Sequence, residues 1–352
     1  MRIAAIAALL LLLGFVLHLP DPALPWVLAA GVLLGAAFVL LDYGFTAPFR
    51  VLLTERDGRP LASRLVVPGV AALAILPVAA SGADYARFVA PVGLSLLVGA
   101  IIFGVGMQIA NGCGSGTLIA AGQGARRMWV TLPFFCVGGV LGSLALPTAL
   151  TWPSLGEFDL LQLFGPAWGL LATEALLTVV ALLLLKGGRP DRRQLWPGLI
   201  IGALAALMFL VSGEPWGVTM GLTVAGAQAV EALGFQLAET EFWANEGGQA
   251  LLRQPLFAMH GALGDAGLLL GALLAAAWRG SLRFGVAIGP RAIAGGVLGG
   301  LLMGVGARLS FGCNIGAFVG GIASGSLHGF VWMFAVLPGC WLGVKLRPFF
   351  AT

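Results

Sequence analysis

Long apolar segments alternate with short polar stretches along the whole chain. Ten segments are predicted to be membrane-crossing helices, because about 20 apolar residues in helical form span a hydrocarbon core of roughly 30 Å. They cover residues 3–19, 25–42, 65–80, 89–110, 128–149, 163–185, 197–212, 255–277, 288–308 and 327–345. Segments of about ten residues with alternating hydrophobicity, which are typical of a transmembrane barrel, do not occur in the sequence. The pattern therefore predicts an all-α integral membrane protein.

Basic residues are concentrated in some of the short loops, mainly within 50–64, 186–193 and 279–291, whereas the loops near 151–160 and 238–249 are acidic. Loops rich in Arg and Lys favour the cytoplasmic side. With ten crossings all basic loops fall on one side, which places both termini in the cytoplasm of a bacterial inner membrane. This count requires three stretches to enter the bilayer and return on the same side. They are residues 111–117, 212–233 and 311–317.

The composition excludes several other classes of protein. Only 10% of the residues are charged, compared with about a quarter in soluble domains. The net charge of +4 comes from basic loops that orient the chain, so no nucleic-acid partner is expected. The four cysteines form no CxxC pair and the three histidines are far apart, so neither a metal site nor a disulfide framework is predicted. No nucleotide-binding motif or cofactor site is recognised.

An internal repeat relates residues 99–116 to residues 299–316 without a gap. Both copies follow the pattern G-V-G-x5-G-C-x2-G, with the cysteine at Cys113 in the first and Cys313 in the second. Because one copy follows an inward-running segment and the other an outward-running one, the repeat is expected to be inverted. We therefore predict an extra, possibly signal-like first helix within 1–24, followed by two repeat halves. The halves are 25–185, with the Cys113 loop, and 186–352, with the Cys313 loop.

The two glycine-rich breaks are predicted to form an anion-binding site. If a half-helix begins after each cysteine, its N-terminal N–H groups and positive dipole end attract an anion, and the thiols face the same space. A soft thiol donor suits an anion that contains sulfur. The candidate substrate-binding residues are Asn111, Gly112, Cys113, Gly114, Ser115, Gly116, Arg308, Gly312, Cys313, Asn314 and Gly316.

Two further ionisable residues lie in apolar segments, where charge is unfavourable. Arg308 is interpreted as an anion-attracting residue, a structural ion-pair partner or an exposed helix end. Glu174 is either a proton-coupling residue or a packed one.

The stretches GVGMQIANGCGSGTL and GVGARLSFGCNIG resemble the two cysteine motifs of the YeeE/YedE family of thiosulfate-uptake membrane proteins. The resemblance extends over about residues 27–345. It implies an hourglass-shaped helical protein with inverted pseudo-symmetry, whose short loops enter from both faces and meet in the middle. It also implies thiosulfate import, cysteines that pass the substrate along through S–H contacts, and a small TusA-like sulfurtransferase as a cytoplasmic partner.

One position departs from the family pattern. A third family cysteine should precede a Phe-Arg pair that matches Phe49 and Arg50, but this chain has Gly44 there. Either the relay runs with two thiols, or the substrate is another sulfur or selenium oxyanion. The leading prediction is a transporter with no enzymatic activity. The alternatives are a membrane thiol or persulfide sulfur-relay enzyme and a membrane scaffold.

Overall fold

A computed structural model describes residues 2–351, so Met1 and Thr352, the chain ends predicted to be cytoplasmic, lie outside the described residues. The first helices are α1 (Arg2–Val16), α2 (Leu24–Leu40), α3 (Thr46–Thr54), α4 (Arg59–Arg64), α5 (Val66–Ala80) and α6 (Leu94–Ala110). They are followed by α7 (Gly114–Gly122), α8 (Arg126–Leu150), α9 (Leu160–Phe164), α10 (Pro166–Leu185) and α11 (Arg192–Ser212). The last are α12 (Thr219–Ala232), α13 (Glu246–Arg253), α14 (His260–Arg279), α15 (Pro290–Leu309) and α16 (Leu327–Leu346).

The remaining regular structure is short. A π-helical segment, Asn314–Gly321, lies between α15 and α16, and 3₁₀ turns occupy Leu237–Glu239, Leu256–Ala258 and Arg347–Phe350. Two strands, β1 (Pro91–Gly93) and β2 (Ser154–Glu157), pair in an antiparallel ribbon. The helical content confirms the prediction of an all-α membrane protein.

Each of the ten predicted segments contains a helix of the structure. In the described part of the chain, eight helical stretches are long and apolar enough to cross a membrane. The other two helices, at Ile3–Val16 and Leu24–Leu40, are apolar but shorter. A multi-pass membrane protein is therefore confirmed, whereas a count of ten crossings stays a prediction.

Helices α6 and α15 pack against each other at the centre of the molecule, and glycines allow their backbones to touch. A Cβ atom on Gly99 would lie 2.5 Å from the backbone nitrogen of Ser310. A Cβ atom on Gly299 would lie 2.7 Å from the backbone nitrogen of Ala110. The end of each helix thus lies beside an early glycine of the other, so the two helices are antiparallel. Small residues drive this kind of close approach in membranes, where packing replaces the hydrophobic effect.

The next layer of helices follows the same pattern. α16 packs against α6, and α8 packs against α15. Gly104 of α6 faces the backbone of α16 at Val336, and Gly304 of α15 faces the backbone of α8 at Gly139. Further out, α14 packs against α2, and α11 packs against α5.

We predict that Gly306→Ala destabilises the fold, because its methyl group would lie 2.5 Å from the backbone nitrogen of Phe103. Overpacking of this kind costs about 1–3 kcal/mol, which exceeds the helix-propensity gain of about 1 kcal/mol. The measurement is the temperature at which detergent-solubilised protein loses its monodisperse elution peak.

Gly285→Ala is the matched control, since a Cβ atom there meets nothing within 4 Å. Equal melting temperatures for the two variants would contradict the close backbone contact of α6 and α15.

Candidate functional site

The Cys113 loop connects α6 to α7 through one strained residue. Asn111 adopts a left-handed conformation (φ 63°) directly after α6, a region that asparagine enters more readily than most residues. Cys113 then caps the N-terminus of α7, and its Sγ accepts a hydrogen bond from the Gly116 N–H at 3.4 Å. The Ser115 hydroxyl lies 3.5 Å from the same sulfur. The thiol therefore sits among the free N–H groups of a helix start.

The Cys313 loop repeats this arrangement at the end of α15. Phe311, the residue equivalent to Asn111, is also left-handed (φ 57°). Gly312 follows with φ 149°, and a Cβ atom there would lie 2.5 Å from the Ala317 nitrogen, so the turn requires glycine. Cys313 caps the π-helical segment, and its Sγ accepts a hydrogen bond from the Ile315 N–H at 3.4 Å. A helical segment thus begins directly after each cysteine, although the second is a π-helix.

A cavity of about 340 Å³, here called the Cys113 cavity, ends at the first cysteine loop. Its wall carries the guanidinium groups of Arg50, Arg64 and Arg283, with Asp42 as the acidic residue. Arg50 donates a hydrogen bond to the Asn111 side-chain oxygen at 3.3 Å. Three cations against one carboxylate make this cavity attractive to anions.

Gly44 and Tyr43 lie in the wall of the Cys113 cavity. The Arg64 guanidinium lies 3.9 Å from the centre of the Tyr43 ring and donates to the Gly44 carbonyl at 2.8 Å. Burial raises the pKa of the Tyr43 hydroxyl above its ordinary value, although the charge of Arg64 opposes the shift. Tyr43 therefore stays neutral and adds no negative charge to the cavity.

A second cavity of about 320 Å³, the Arg308 cavity, lies beside the other cysteine loop. The Arg308 side chain donates a hydrogen bond to the Ser143 hydroxyl at 3.0 Å, and its guanidinium lies 4.8 Å from the centre of the Phe242 ring. Within residues 2–351, no carboxylate forms an ion pair with Arg308. The contacts of its side chain are instead with the Ser143 hydroxyl, the Met220 sulfur and the Phe242 ring.

Glu214 is the acidic residue in the wall of the Arg308 cavity. The residue is exposed as a whole, but partial desolvation of its carboxyl group by the surrounding protein raises the pKa of Glu214, while the charge of His260 opposes the shift. Arg87 lines the same cavity but is paired with Asp159 at 2.6 Å. Arg308 is therefore the cation of this cavity that lacks an acidic partner among residues 2–351.

The two cavities lie at opposite ends of α8. Gln123, in the wall of the Cys113 cavity, lies three residues before the start of this helix, and Leu146, in the wall of the Arg308 cavity, lies near its end. A helix of 25 residues is about 37 Å long, which is comparable with the thickness of a bilayer.

A buried layer separates the two cavities. The exposed fractions of Cys113 and Cys313 are 1% and 0%. A Cβ atom on Gly114 would lie 3.3 Å from the Cys313 sulfur, so the two loops are in contact. The Phe318 ring packs edge-on against Phe45 and Phe49 at centroid distances of 6.2 and 6.5 Å. Buried and mutually contacting side chains therefore lie between the two cavities in this conformation.

The Asn314 amide lies in this layer without a hydrogen-bond partner. Its exposed fraction is 0%, and neither its oxygen nor its nitrogen has a partner within residues 2–351. An unpaired buried amide is unfavourable by about 1–3 kcal/mol. A polar ligand that reaches the Cys313 loop would satisfy it.

The predicted residues divide among three places. Those in the wall of the Cys113 cavity are Asn111, Gly112, Cys113, Ser115 and Gly116. Arg308 and Gly316 line the Arg308 cavity. The others, Gly114, Gly312, Cys313 and Asn314, line neither cavity. The described residues contain no group of three or more metal-ligating side chains that could hold a metal ion.

Sequence reasoning missed two features of this region. The sequence places Arg64 in a basic loop, but in the structure its side chain is only 5% exposed and lines the Cys113 cavity. Sequence reasoning also passed over Asp265, an acidic residue in the middle of the apolar segment 255–277. That position alone was a signal, because a carboxyl group inside a membrane segment is rare and usually functional.

Comparisons with known proteins agree with the sequence motifs. The family model described as "Sulphur transport" matches residues 42–342. Among curated relatives, a "Probable transporter YedE" of Salmonella typhimurium is 32% identical over 158 residues, which are 42% of this chain and 37% of the relative. A protein of the same name from Escherichia coli K12 is 31% identical over 151 residues, with the same coverage. Each alignment thus spans little more than a third of the relative's length. Because the family model covers most of the chain, this protein belongs to the sulphur transport family, the YeeE/YedE family predicted from its two cysteine motifs.

Proposed function

We propose that this protein imports thiosulfate across the bacterial inner membrane. The observation that carries the proposal is the pair of cavities at opposite ends of α8. Each cavity adjoins a helical segment whose N-terminus is capped by a cysteine. Thiosulfate is a dianion with a terminal sulfur, so its oxygens suit the N–H groups and its sulfur suits the thiols.

The proposed path runs from the Arg308 cavity, past Cys313 and then Cys113, to the Cys113 cavity. Arg308 attracts the anion, and the cluster of Arg50, Arg64 and Arg283 receives it. The receiving cavity is formed partly by basic loops, which favours a cytoplasmic position. There, a small TusA-like sulfurtransferase would accept the substrate, and both termini would lie on the same side.

We further propose that the two halves, 25–185 and 186–352, form an inverted repeat in which both cysteine loops are re-entrant. The equivalent left-handed residues Asn111 and Phe311 support this arrangement. The reciprocal glycine contacts of α6 and α15 support it as well. Helix α1, within 1–24, would be an addition outside the repeat.

Import of a dianion requires a driving force. Moving one negative charge into a cell against 100 mV costs about 2.3 kcal/mol, so a dianion requires about twice that amount. The attractive charges of Arg308 and the cavity arginines concentrate the anion but do not move it against a gradient.

Cys113→Ala and Cys313→Ala are each expected to lower thiosulfate uptake about tenfold or more, because an interaction worth 1.4 kcal/mol in the rate-limiting state changes a rate tenfold. The measurement is uptake of ³⁵S-labelled thiosulfate by a host that lacks its own sulfur import. Cys136→Ala and Cys340→Ala are matched controls, since these cysteines lie inside α8 and α16 and cap no helical segment. Similar uptake by all four variants, at equal expression, would contradict a role for the thiols.

Arg308→Gln is expected to raise the KM for thiosulfate about tenfold with a smaller change in kcat, because the lost charge attracts the anion before the barrier. Arg308→Lys should restore part of the affinity. Arg291, at the start of the same helix and exposed, supplies the control variant Arg291→Gln. A KM that is unchanged in Arg308→Gln would contradict attraction of the anion by this residue.

Gly44→Cys is expected to fold normally, because a Cβ atom at Gly44 meets nothing within 4 Å. Its thiol would lie in the Cys113 cavity and react with a small charged maleimide much faster than Cys340, which is fully buried. Labelling is measured by intact-mass spectrometry, with Cys136 replaced by alanine. An unreactive Gly44→Cys thiol would show that this cavity is not water-filled.

A further inference from the structure

A carboxyl group lies inside the helical core with no partner. Asp265, on α14, is 5% exposed, and neither carboxyl oxygen has a hydrogen-bond partner among the described residues. None of the ion pairs within residues 2–351 involves it. A buried carboxylate without a cation or donor is strongly unfavourable. The side chain is therefore expected to carry a proton in this conformation.

Asp265 lies next to the proposed path. Gly261, one helical turn earlier on α14, lines the Arg308 cavity. On the facing helix α12, a Cβ atom on Gly221 would lie 2.8 Å from the Asp265 carboxyl oxygen, so glycine at this position leaves space for the carboxyl group. The carboxyl group thus lies against α12, one helical turn from a residue of the cavity wall.

Few other ionisable groups face this carboxyl from the helices packed against α14. Helices α2 and α7 and the turn Leu256–Ala258 carry none, and α1 carries only Arg2, at its first position. On α12, Glu231 lies ten residues beyond Gly221 and accepts a hydrogen bond from the Ala238 N–H.

Glu214 lines a small cavity together with Gly261 and Gly264 of α14. On α14 itself, His260 lies five residues before Asp265 and is paired with Asp21 at 2.7 Å. Protonation of Asp265 is therefore not compensated by a neighbouring salt bridge.

Among the described residues, Glu174 is the other acidic residue inside one of the eight candidate membrane spans, and its surroundings differ. It lies on α10, the span with the smallest buried share, and only one of its oxygens is buried without a partner. Its carboxylate faces Gly69 of α5 and lines neither cavity. Asp265 is consequently the better placed of the two for coupling.

We propose that Asp265 is the proton-binding group that couples anion import to proton entry, an inference that rests on the proposed function. A proton from the side of the Arg308 cavity binds a carboxylate oxygen of Asp265 and forms the carboxylic acid. After the anion has passed the cysteines, the same proton leaves toward the Cys113 cavity and the carboxylate returns. No bond of the anion changes and no electrons move. Proton entry offsets part of the inward negative charge.

The test uses purified full-length protein in liposomes, with ³⁵S-thiosulfate and the membrane potential clamped at zero. An acidic exterior is expected to stimulate uptake by wild type about fivefold or more, as expected for a coupled proton. Asp265→Asn should lose this stimulation but keep thiosulfate exchange, measured with equal pH and thiosulfate on both sides, within about twofold. Asp265→Glu should retain part of the stimulation, and Glu174→Gln should retain all of it.

Stimulation that persists in Asp265→Asn, or that is lost in Glu174→Gln instead, would overturn the assignment. A wild type that exchanges thiosulfate without any response to the pH gradient would overturn the coupling and leave the proposed function intact. Absence of exchange in wild type would overturn the proposed function itself. If Asp265→Asn does not fold, the coupling is tested with wild type alone, using a pH-sensitive dye inside the liposomes. Thiosulfate entry is then expected to acidify the liposome interior. A constant interior pH would refute the coupling.

Discussion

The backbone contact between α6 and α15 is the constraint on which the site depends. Gly99 contacts the C-terminal end of α15, and Gly299 contacts the C-terminal end of α6. The two helices are therefore antiparallel, and their cysteine loops begin at opposite ends of the pair. The helical segments that follow then turn back toward each other, until Gly114 touches the Cys313 side chain. Larger residues at the crossing would separate the helices and, with them, the two loops. The many glycines of the repeat motif thus determine where the thiols meet.

Charge in the molecule is distributed as an anion path requires. Arg308 reaches a cavity without an ion-pair partner among the described residues, and Arg50, Arg64 and Arg283 surround the other cavity. The polar side chains described in the layer between the cavities are the Cys113 and Cys313 thiols, the Ser115 hydroxyl and the unpaired Asn314 amide, none of which is a cation. Two cavities that attract an anion, with a layer between them that binds it only weakly, would let the ion both enter and leave.

The sequence was sufficient for the helices and for the start of a helical segment at each cysteine, because apolar length and a glycine break are local signals. It also drew attention to Cys113 and Cys313, whose repeat positions coincide and whose loops are in contact in the structure. It could not show that Arg64 reaches the Cys113 cavity, or that Asp265 is buried without a partner. Both facts depend on which helices become neighbours, and the uniformly apolar faces of these helices do not specify that. The π-helical form of Asn314–Gly321 is likewise set by packing.

Cysteine is an unusual helix cap, and its weakness as an acceptor explains its use here. Caps are normally Ser, Thr, Asp or Asn, whose oxygens bind the first N–H groups tightly. An aspartate cap would occupy the donors and repel an anion, and a hydroxyl oxygen would compete with it. At Cys113 and Cys313 the N–H groups donate to sulfur at 3.4 Å, and because sulfur is a weak acceptor, an anionic oxygen would replace this contact with a stronger hydrogen bond. The same thiol is then free to contact the sulfur of the substrate. In the proposed function, one residue thus keeps the donors ordered when the site is empty and releases them when the anion arrives.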